Sequence, residues 1–417
     1  MRTKGKPSGL LGGVAVAAIA AFGAVAPAQA QDTVLNLIHF APFKAATEEA
    51  IASFQAANPG IQIRASFTAE PQAVRAQFTT GNAPDITLVY PGDGSAMAAA
   101  QLAKAGLLED LSDRPWAKTI SPSFRQGVSH DGKVYVVPTG YSYIAMYTND
   151  EVMKSIGADV PKTFTELLAF CDKAKATTTP IAFGLKEQIP TLFPGYALAS
   201  STAFADNPNF AADQAAGRTN FQQGYRRSLE MYLEMRDRGC FSRTASGNSN
   251  DDALRLIAGG RAAMFVGVNA YLPAILRINA DAKITQSPFP GNADASKVRV
   301  PLGPTIAYAV TAQSRNKEAA KRFLDHLANP DVNRKWAETA AQLAAADIDA
   351  APKIPGNSAA IAAALAEKRT VLYLDRTWPN GRVQPIYMAG IQELFGGQTT
   401  IDALLKRLDE AFASGAP

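Results

Sequence analysis

The amino-acid sequence predicts an α/β protein made of two lobes, and three observations support this. Between residues 33 and 90, strand-like apolar runs alternate with helix-like runs, which is typical of a parallel sheet covered by helices. The chain has 417 residues, which is more than one hydrophobic core usually spans. A second series of predicted helices and strands begins after residue 149, beyond a strand that is interrupted by Pro138 and Gly140.

The first lobe begins with an apolar run that suits a buried strand. The next predicted helix ends at Asn58-Pro59-Gly60, because Pro and Gly interrupt helices. Alternating apolar residues from Ile61 to Phe67 then indicate a second strand. The predicted elements are strands at 33–40, 61–67 and 85–90 and helices at 43–57, 74–81 and 95–105.

The segment between residues 127 and 149 is predicted to carry the chain out of the first lobe. Asp131 and Gly132 tolerate the positive φ angles of a tight turn, so the flanking residues should form a hairpin. Pro138 cannot donate a hydrogen bond within a sheet, and Gly140 adds backbone freedom. We therefore expect an interrupted strand that acts as a hinge.

The second series of elements opens with a helix start that is visible in the sequence. Thr163 and Glu166 have the spacing of a capping box, which predicts a helix to about residue 176. Ser314 is predicted to cap a later helix. The other predicted elements are helices at 222–238, from 252 to Gly259-Gly260 and at 401–412, and strands at 180–184, after Gly260 and at 306–310.

The first 30 residues have the features of a signal peptide. Three basic residues precede an apolar run from residue 10 to about residue 26, and Ala28-Gln29-Ala30 supplies the small residues of a cleavage site. We expect cleavage before Gln31, with a retained membrane anchor as the alternative. Cleavage removes three positive charges, so the formal charge falls from +4 to +1. A nearly neutral chain lacks the basic excess of nucleic-acid-binding proteins.

Cys171 and Cys240 are the only two cysteines. An oxidising compartment permits a disulfide between them, which would close a loop of about 70 residues. Two buried thiols on packed helices are the alternative. The sequence leaves both states open.

Four short motifs spread over the chain share their pattern with one known family. They are Phe54-x-x-x-Asn-Pro-Gly-Ile-x-Ile63, Gly81-Asn-Ala-Pro-Asp-Ile86, Asp131-Gly-Lys-Val-Tyr-x-x-Pro138 and Gly260-Arg-Ala-Ala-Met264. In these motifs the chain resembles the family 1 extracellular solute-binding proteins, the maltose-binding-protein-like receptors of ATP-driven sugar importers. The similarity extends over nearly the whole chain after residue 30.

The resemblance implies a type II periplasmic-binding-protein fold with a ligand cleft between two lobes. The chain would cross between lobes near residues 139–142, 303–306 and 350. The implied segments are a signal peptide at 1–30, a first lobe at 31–140, a second lobe at 141–304, a return to the first lobe at 305–350 and a C-terminal part of the second lobe at 351–417.

Aromatic side chains at predicted element ends or crossings are candidates for ligand binding. Sugar recognition needs flat apolar faces and a few directed polar groups in a cleft that excludes water. Core packing is the alternative for each aromatic residue, above all for Tyr90 and Tyr143, and Trp116 and Trp336 are expected to be packing residues. The aromatic candidates are Phe40, Tyr90, Tyr141, Tyr196, Tyr271 and Trp378.

Five polar residues complete the candidate site. Asp93 lies in the turn after the third strand, where open parallel sheets collect ligands. Thr305 lies at the second crossing, and Asn269 occupies a position where many members of the resembled family place a ligand-stacking Trp. Arg376 and Arg382 could hold a carboxylate, phosphate or sulfonate in bidentate fashion, or they could be solvated loop charges.

The sequence displays little that points to an exported enzyme. The three histidines are far apart, and the motifs of serine hydrolases, zinc peptidases and redox-active cysteine pairs do not occur. Ser314-Arg-Asn-Lys317 spells Ser-x-x-Lys, but a Ser that opens a helix is more commonly a cap. We therefore predict no catalytic residue, no metal and no cofactor.

The functional hypothesis is a periplasmic substrate-binding component of an ABC importer. It would bind a saccharide, a sugar acid or a polyol phosphate, close around it, and deliver it to the membrane permease. We expect a monomer that binds no nucleic acid. An exported hydrolase that acts on glycosides and a ligand-presenting sensor of the same fold are the alternatives.

Overall fold

The computed structural model describes Met1 and residues 33–68, 71–120, 125, 127–242, 244–350, 354 and 356–415. Apart from Met1, the predicted signal peptide lies outside these residues, as do residues 351–353 and 355 next to the third predicted crossing. No helix in the described ranges is long and apolar enough to cross a membrane.

The described residues form strands and helices in alternation. The strands are β1 Thr33–Phe40, β2 Ile61–Thr68, β3 Ile86–Val89, β4 Ser129–His130, β5 Lys133–Val134, β6 Gly140–Asn149, β7 Thr179–Ala182, β8 Ala262–Val268, β9 Ile284–Ser287, β10 Val300–Pro304, β11 Ala307–Val310, β12 Leu343–Ala344 and β13 Thr370–Leu372. The helices of the first half are α1 Lys44–Ala57, α2 Arg75–Thr79, α3 Ala99–Lys104, α4 Asp150–Ile156, α5 Phe164–Ala174, α6 Leu192–Ser201, α7 Ala203–Asp206, α8 Phe210–Ala215 and α9 Phe221–Gly224. Those of the second half are α10 Arg226–Asp237, α11 Asn250–Ala258, α12 Leu272–Ile278, α13 Lys317–Ala328, α14 Pro330–Thr339, α15 Ala359–Ala366, α16 Val383–Phe395 and α17 Ile401–Ala413.

The first lobe is the four-stranded sheet and the helices packed on it. Its strand order is β11-β3-β1-β2, with β1 parallel to β2 and β3, and β11 antiparallel to β3. Helix α1 crosses from β1 to β2, as a parallel pair requires. Helices α13 and α14, which follow β11, pack on α1 and share its apolar core.

The second lobe is the seven-stranded mixed sheet and its helices. The strand path is β13-β10-β6-β8-β7, and β9 and β12 also pair with β6. All ten residues of β6 are buried, which explains why this strand is an almost continuous apolar run in the sequence. β6 therefore organises the second lobe while its first residue, Gly140, lies at the crossing from the first lobe.

Two local predictions are confirmed by the backbone geometry. β4 and β5 form the expected hairpin, with φ values of 48° at Asp131 and 76° at Gly132. Thr163 and Glu166 form the expected capping box at the start of α5. In both places the decisive interaction lies within a few residues, so the sequence pattern is sufficient.

Two predicted helix starts are wrong. The helix after β3 begins at Ala99 instead of Ser95, because the Ser95 hydroxyl accepts a hydrogen bond from the Met97 amide within a turn. Ser314 does not cap α13, which has Asn316 at its N-cap. The Ser314 hydroxyl instead donates to the Asp85 carboxylate over 2.5 Å, which ties the return segment to the start of β3.

The two cysteines are joined. A disulfide links Cys171 in α5 to Cys240 after α10, with 4.9 Å between their Cα atoms. The bridge closes a loop with a sequence separation of 69 residues, which in the chain-entropy model stabilises the fold by roughly 4 kcal/mol. Of the two states that the sequence left open, the structure has the disulfide.

Candidate ligand-binding cleft

The two lobes contact each other at the end of β3. The turn at residues 91–94 leaves the first lobe's sheet and meets the loop at residues 375–381, which follows β13 of the second lobe. A Cβ atom on Gly94 would lie 2.1 Å from the carbonyl oxygen of Asp375, and one on Gly92 would lie 2.8 Å from the Cα of Arg376. A side chain at either position would prevent this close approach of the two backbones. Gly92 and Gly94, which lie in the turn after β3, therefore also form the contact between the lobes. We call this contact the rim.

Arg376 is buried at the rim between aromatic rings of opposite lobes. Its guanidinium carbon lies 5.9 Å from the ring centre of Tyr90 in the first lobe and 5.7 Å from that of Tyr373 in the second. Its side chain is 9% exposed, and Nη1 donates to Oδ2 of the buried Asp375 over 2.6 Å. Gln384 donates to the same oxygen over 3.0 Å. Within the described residues, Arg376 Nε has no hydrogen-bond partner.

Tyr90 is the part of this arrangement that the first lobe supplies. The side chain is partly buried at the end of β3. Burial raises the pKa of its hydroxyl to about 12, although the positive charge of Arg376 acts in the opposite direction. Tyr90 is therefore a neutral hydrogen-bonding group with an aromatic face at any physiological pH.

The crossings between lobes are held together by backbone and amide groups. Tyr141 pairs with Pro304 and with Leu343, and the Thr305 amide donates to the Gly140 carbonyl over 3.0 Å. These residues bring three separate chain segments to one place. We call this group of contacts the hinge.

Asn269 connects the hinge segments through its side chain. Its Oδ1 accepts from the Ser142 hydroxyl over 2.7 Å and from the Tyr143 amide over 3.0 Å. Its Nδ2 donates to the Ala341 carbonyl over 2.6 Å. Because Asn269 is 0% exposed and its amide has protein partners on both sides, it offers no surface to a ligand in this conformation. The structure places Asn269 in the hinge, and its role in ligand binding stays a prediction.

Two predicted aromatic residues lie in the core of the second lobe. Trp378 is 1% exposed and packs against Tyr196, Phe221 and Tyr387, with ring centres 5.9–6.2 Å apart. Tyr196 is 3% exposed. For Trp378, this placement agrees with core packing, the alternative that the sequence left open beside ligand binding, because large apolar side chains lose more water contact inside a lobe than at its edge.

Phe40 and Tyr271 each pack within their own lobe, and Asp93 lies in the turn of the rim. Phe40 is partly buried and packs on Phe43 in the first lobe. Tyr271 is partly buried beside Phe193 and Phe265 in the second lobe. Asp93, next to the rim, accepts a hydrogen bond from Gln101 over 2.5 Å.

Arg382 is separated from this arrangement. It is exposed, and its Nη1 donates to the Ser414 hydroxyl over 3.4 Å, beyond the end of α17. Of the two predicted arginines, the structure thus places only Arg376 between the lobes.

Three residues at the rim were not predicted from the sequence. Tyr373, Asp375 and Gln384 surround Arg376, and Asp375 supplies its charge partner. The adjacent Asp375 and Arg376 in the sequence could have suggested the ion pair, since neighbouring opposite charges in a loop can pair. Nothing in the sequence indicated that this pair is buried.

A concavity lies away from the rim. It has a volume of ≈ 870 Å³ and is lined by parts of α5, α8 and α10 of the second lobe, with ion pairs such as Asp172–Arg238 and Asp206–Lys297 at its edge. Among the described residues, no group of three or more His, Cys, Asp or Glu side chains could hold a metal ion.

The rim combines aromatic faces, a buried ion pair and one unpaired N–H donor.

Comparison with known proteins identifies relatives of most of the chain. The family model of the bacterial extracellular solute-binding proteins matches residues 49–378, which is more than half of the chain. A multiple sugar-binding protein of Streptococcus mutans serotype c is 23% identical over 343 residues, covering 79% of this chain and 80% of the relative. The sn-glycerol-3-phosphate-binding periplasmic protein UgpB of Escherichia coli K12 is 26% identical over 304 residues, covering 68% and 67%.

The fold is shared with solved structures of sugar-binding proteins. A sugar transporter protein of Bacillus licheniformis, solved in complex with stachyose, superposes with a TM-score of 0.71 at 20% identity. The match covers 92% of this chain and 100% of that one. This likeness confirms the predicted two-lobed α/β fold of the periplasmic-binding-protein type. Together with the match to the family model, it shows that the chain belongs to the family of bacterial extracellular solute-binding proteins.

Proposed function

We propose that this protein is the substrate-binding component of an ABC importer and that it binds a carbohydrate or a close derivative between its lobes. The observation that carries the proposal is the rim, where Arg376 lies between Tyr90 of one lobe and Tyr373 of the other. A ligand held there would contact both lobes only when they are closed, so its binding would shift the protein towards the closed state.

The family membership and the relatives support this reading. One relative is named for binding multiple sugars, another for binding sn-glycerol 3-phosphate, and a protein of the same fold was solved with stachyose. These ligands all carry hydroxyl groups. The rim offers aromatic faces and an N–H donor, and both suit a ligand that carries hydroxyl groups.

We propose a ligand wall that draws on both lobes. The first lobe would contribute Tyr90, Asp93 and Phe40, and the second lobe Tyr373, Arg376 and Tyr271. In this proposal Tyr141, Thr305 and Asn269 align the hinge, Tyr196 and Trp378 support the second lobe from its core, and Arg382 stays outside the cleft.

The division of the chain into lobes is part of the same proposal. The first lobe would comprise residues 31–140 and 305–350, and the second lobe residues 141–304 and 351–417. The sheets support these limits, since β1–β3 and β11 form one sheet and β6–β10 and β13 belong to the other. Strand β12 pairs with β6 although it lies in the return segment, which is consistent with a position at the hinge.

The cellular setting follows from the sequence and the family. We propose that residues 1–30 are removed as a signal peptide, that the mature protein is a periplasmic monomer, and that its closed form is recognised by the permease subunits. We propose further that it does not act as an enzyme, since the named relatives are binding proteins and not catalysts.

A thermal-shift screen of the mature protein tests the proposal. The protein would be unfolded and refolded to remove any ligand that co-purifies, and then mixed with neutral sugars, sugar acids, sugar phosphates and polyols. A ligand at one hundred times its Kd raises the free energy of unfolding by about 2.7 kcal/mol. Stabilisation by one carbohydrate class is expected, and an unchanged melting temperature with every compound would contradict the proposal.

A second measurement separates binding from hydrolysis. A glycoside that stabilises the protein would be incubated with it and analysed by chromatography. The proposal requires that the glycoside is recovered intact, whereas cleavage products would favour the exported hydrolase.

A further inference from the structure

We propose that the cleft selects an uncharged polyhydroxy ligand over its anionic counterpart, and that the buried Asp375–Arg376 pair sets this preference. The inference rests on the proposed function, because it names the ligand class of the site between the lobes. It differs from the sequence-based expectation, in which two arginines were candidates for binding a carboxylate or phosphate.

The first step concerns which buried charges are available. Among the described residues, the buried Asp, Glu, Lys and Arg side chains are Asp85, Lys321, Asp375 and Arg376. Asp85 accepts hydrogen bonds from Asn36 and Ser314 within the first lobe, and Lys321 of α13 pairs with Glu109 over 3.1 Å. Of the two buried cations among the described residues, Lys321 and Arg376, it is Arg376 that lies between the lobes.

The second step concerns how much of the charge of Arg376 remains for a ligand. Its Nη1 lies 2.6 Å from Oδ2 of Asp375, which is itself 3% exposed. The pair is electrically neutral as a unit. An anion that enters the closed cleft would lose its hydration and leave one uncompensated negative charge, which is costly in a site that excludes water.

The third step concerns the other arginine that was a candidate. Arg382 is exposed and donates to Ser414 beyond the last helix, so it does not add a positive charge beside Arg376. Within the two segments of the rim, residues 91–94 and 375–381, Arg376 is the only cation, and Arg75, which reaches residue 96 beside them, donates its Nη1 to the Ala96 carbonyl over 2.8 Å. The rim segments themselves therefore give an anion no second cation to bind in bidentate fashion.

The fourth step concerns what the pair offers to a neutral ligand. Arg376 Nε has no partner among the described residues, although the side chain is largely buried. The bond to Asp375 and the contacts with Tyr90 and Tyr373 fix the direction of this N–H. Nε is buried in this conformation, so a ligand would reach it when the lobes part, and a fixed and unpaired donor beside aromatic rings then suits a hydroxyl oxygen on a sugar ring.

The test compares matched ligands of different charge on the refolded wild-type protein. The probes are glucose and galactose, each with its uronic acid and its 6-phosphate, together with raffinose, stachyose and sn-glycerol 3-phosphate. Titration calorimetry at two salt concentrations gives each Kd. We expect at least tenfold tighter binding of a neutral probe than of any anionic one. An anionic probe that binds tighter than its neutral counterpart overturns the inference and leaves the proposed function intact, while no binding of any probe overturns both.

Two variants test the role of the pair. Asp375→Asn leaves Arg376 uncompensated, so the ratio of neutral to anionic affinity should fall at least tenfold. Lys406→Gln and Glu410→Gln, which change charge on the exposed face of α17, are matched controls and should keep the wild-type ratio. A ratio in Asp375→Asn that equals that of the controls overturns the role of the pair. If Asp375→Asn does not fold, the wild-type comparison still decides the ligand class.

Discussion

The hinge and the rim both join the two lobes, but they do so with different chemistry. At the hinge, three chain segments are linked by sheet pairing and by the side chain of Asn269, whose amide has partners at both ends. At the rim, backbone meets backbone at Gly94, and Arg376 keeps an unpaired N–H. A join made of sheet pairing and a fully paired amide resists opening, whereas a join made of close backbone packing and one hydrogen bond over 3.4 Å, from Gln101 to the Pro379 carbonyl, can separate at lower cost. We propose from this difference that the hinge stays joined while the rim opens and closes.

The largest effect is expected from breaking the hinge. Asn269→Ala would leave the Ser142 hydroxyl, the Tyr143 amide and the Ala341 carbonyl without this partner inside the protein. The free energy of unfolding should fall by about 3 kcal/mol, as measured by urea denaturation at pH 7. Asn82→Ala, at an exposed position, is the control and should change it by less than about 0.5 kcal/mol. Equal stability of the two variants would show that Asn269 does not hold the hinge.

Breaking the rim should reduce ligand affinity without reducing stability. Gly94→Ala places a Cβ 2.1 Å from the Asp375 carbonyl oxygen, so the closed contact cannot form, while the φ of Gly94 is one that alanine adopts. We expect roughly a hundredfold loss of affinity, which corresponds to about 2.7 kcal/mol, and a larger radius of gyration with ligand present.

Gly60→Ala is the matched control for the rim. A Cβ on Gly60 would have no neighbour within 4 Å, and its φ is not positive either. Its affinity and its scattering profile should match those of the wild type. If Gly94→Ala closes around a ligand as tightly as Gly60→Ala does, the rim is not part of the closed state.

A third prediction concerns a buried ionisable group beside the second crossing. His39 is fully buried and stacks on Tyr308, with ring centres 3.8 Å apart. Burial lowers the pKa of His39 to about 3, below its ordinary value near 6.5. Between pH 3 and pH 6.5 the unfolded chain binds a proton at His39 that the folded protein does not bind. The contribution of His39 to the free energy of unfolding is therefore fully present above pH 6.5 and is lost as the pH falls.

The magnitude can be measured with one substitution. At pH 5 the wild type should have lost about 2 kcal/mol through His39 relative to pH 7. His39→Phe keeps an aromatic ring on Tyr308 and removes the titrating group, so its stability should fall by about 2 kcal/mol less over the same pH range in urea denaturation. Parallel pH profiles of the two proteins would mean that His39 titrates alike in the folded and unfolded states.

The smallest effect is expected from a side chain that crosses the rim. Gln101 donates to Asp93 in its own lobe and, over 3.4 Å, to the Pro379 carbonyl of the other lobe. Gln101→Ala should weaken ligand binding about threefold, in keeping with the loss of one long hydrogen bond. Gln398→Ala, on the exposed turn before α17, should bind as the wild type does. A loss as large as that of Gly94→Ala would show that the rim depends on side chains more than on backbone fit.

The parts of the fold that follow from neighbouring residues were predicted well. The hairpin at Asp131 and Gly132 and the capping box at Thr163 and Glu166 each depend on a few consecutive residues. Ser314 shows the limit of such reasoning. It has a side chain that suits a cap, yet Asp85, 229 positions away, is its acceptor in the folded protein.

The candidate site was predicted only in part, and for a similar reason. Tyr90 and Arg376 were expected to bind a ligand, and the structure brings them to opposite sides of one contact. Trp378 was a candidate for the same cleft, with core packing as the alternative, and it lies in a core; the sequence does not show which face of a loop is turned inward. The charge partner of Arg376 was missed because burial of Asp375 depends on how the lobes pack.

The sequence by itself determined the alternation of strands and helices, the hinge region and the resemblance to a family of receptors. These properties depend on the periodicity and chemistry of residues that are close along the chain. Only the tertiary structure decided that Cys171 bonds to Cys240, that Asn269 belongs to the hinge and that Asp375 neutralises Arg376 at a contact between lobes. The disulfide and the Asn269 contacts join residues far apart in sequence, and the burial of the ion pair depends on the packing of whole lobes, which no local pattern records.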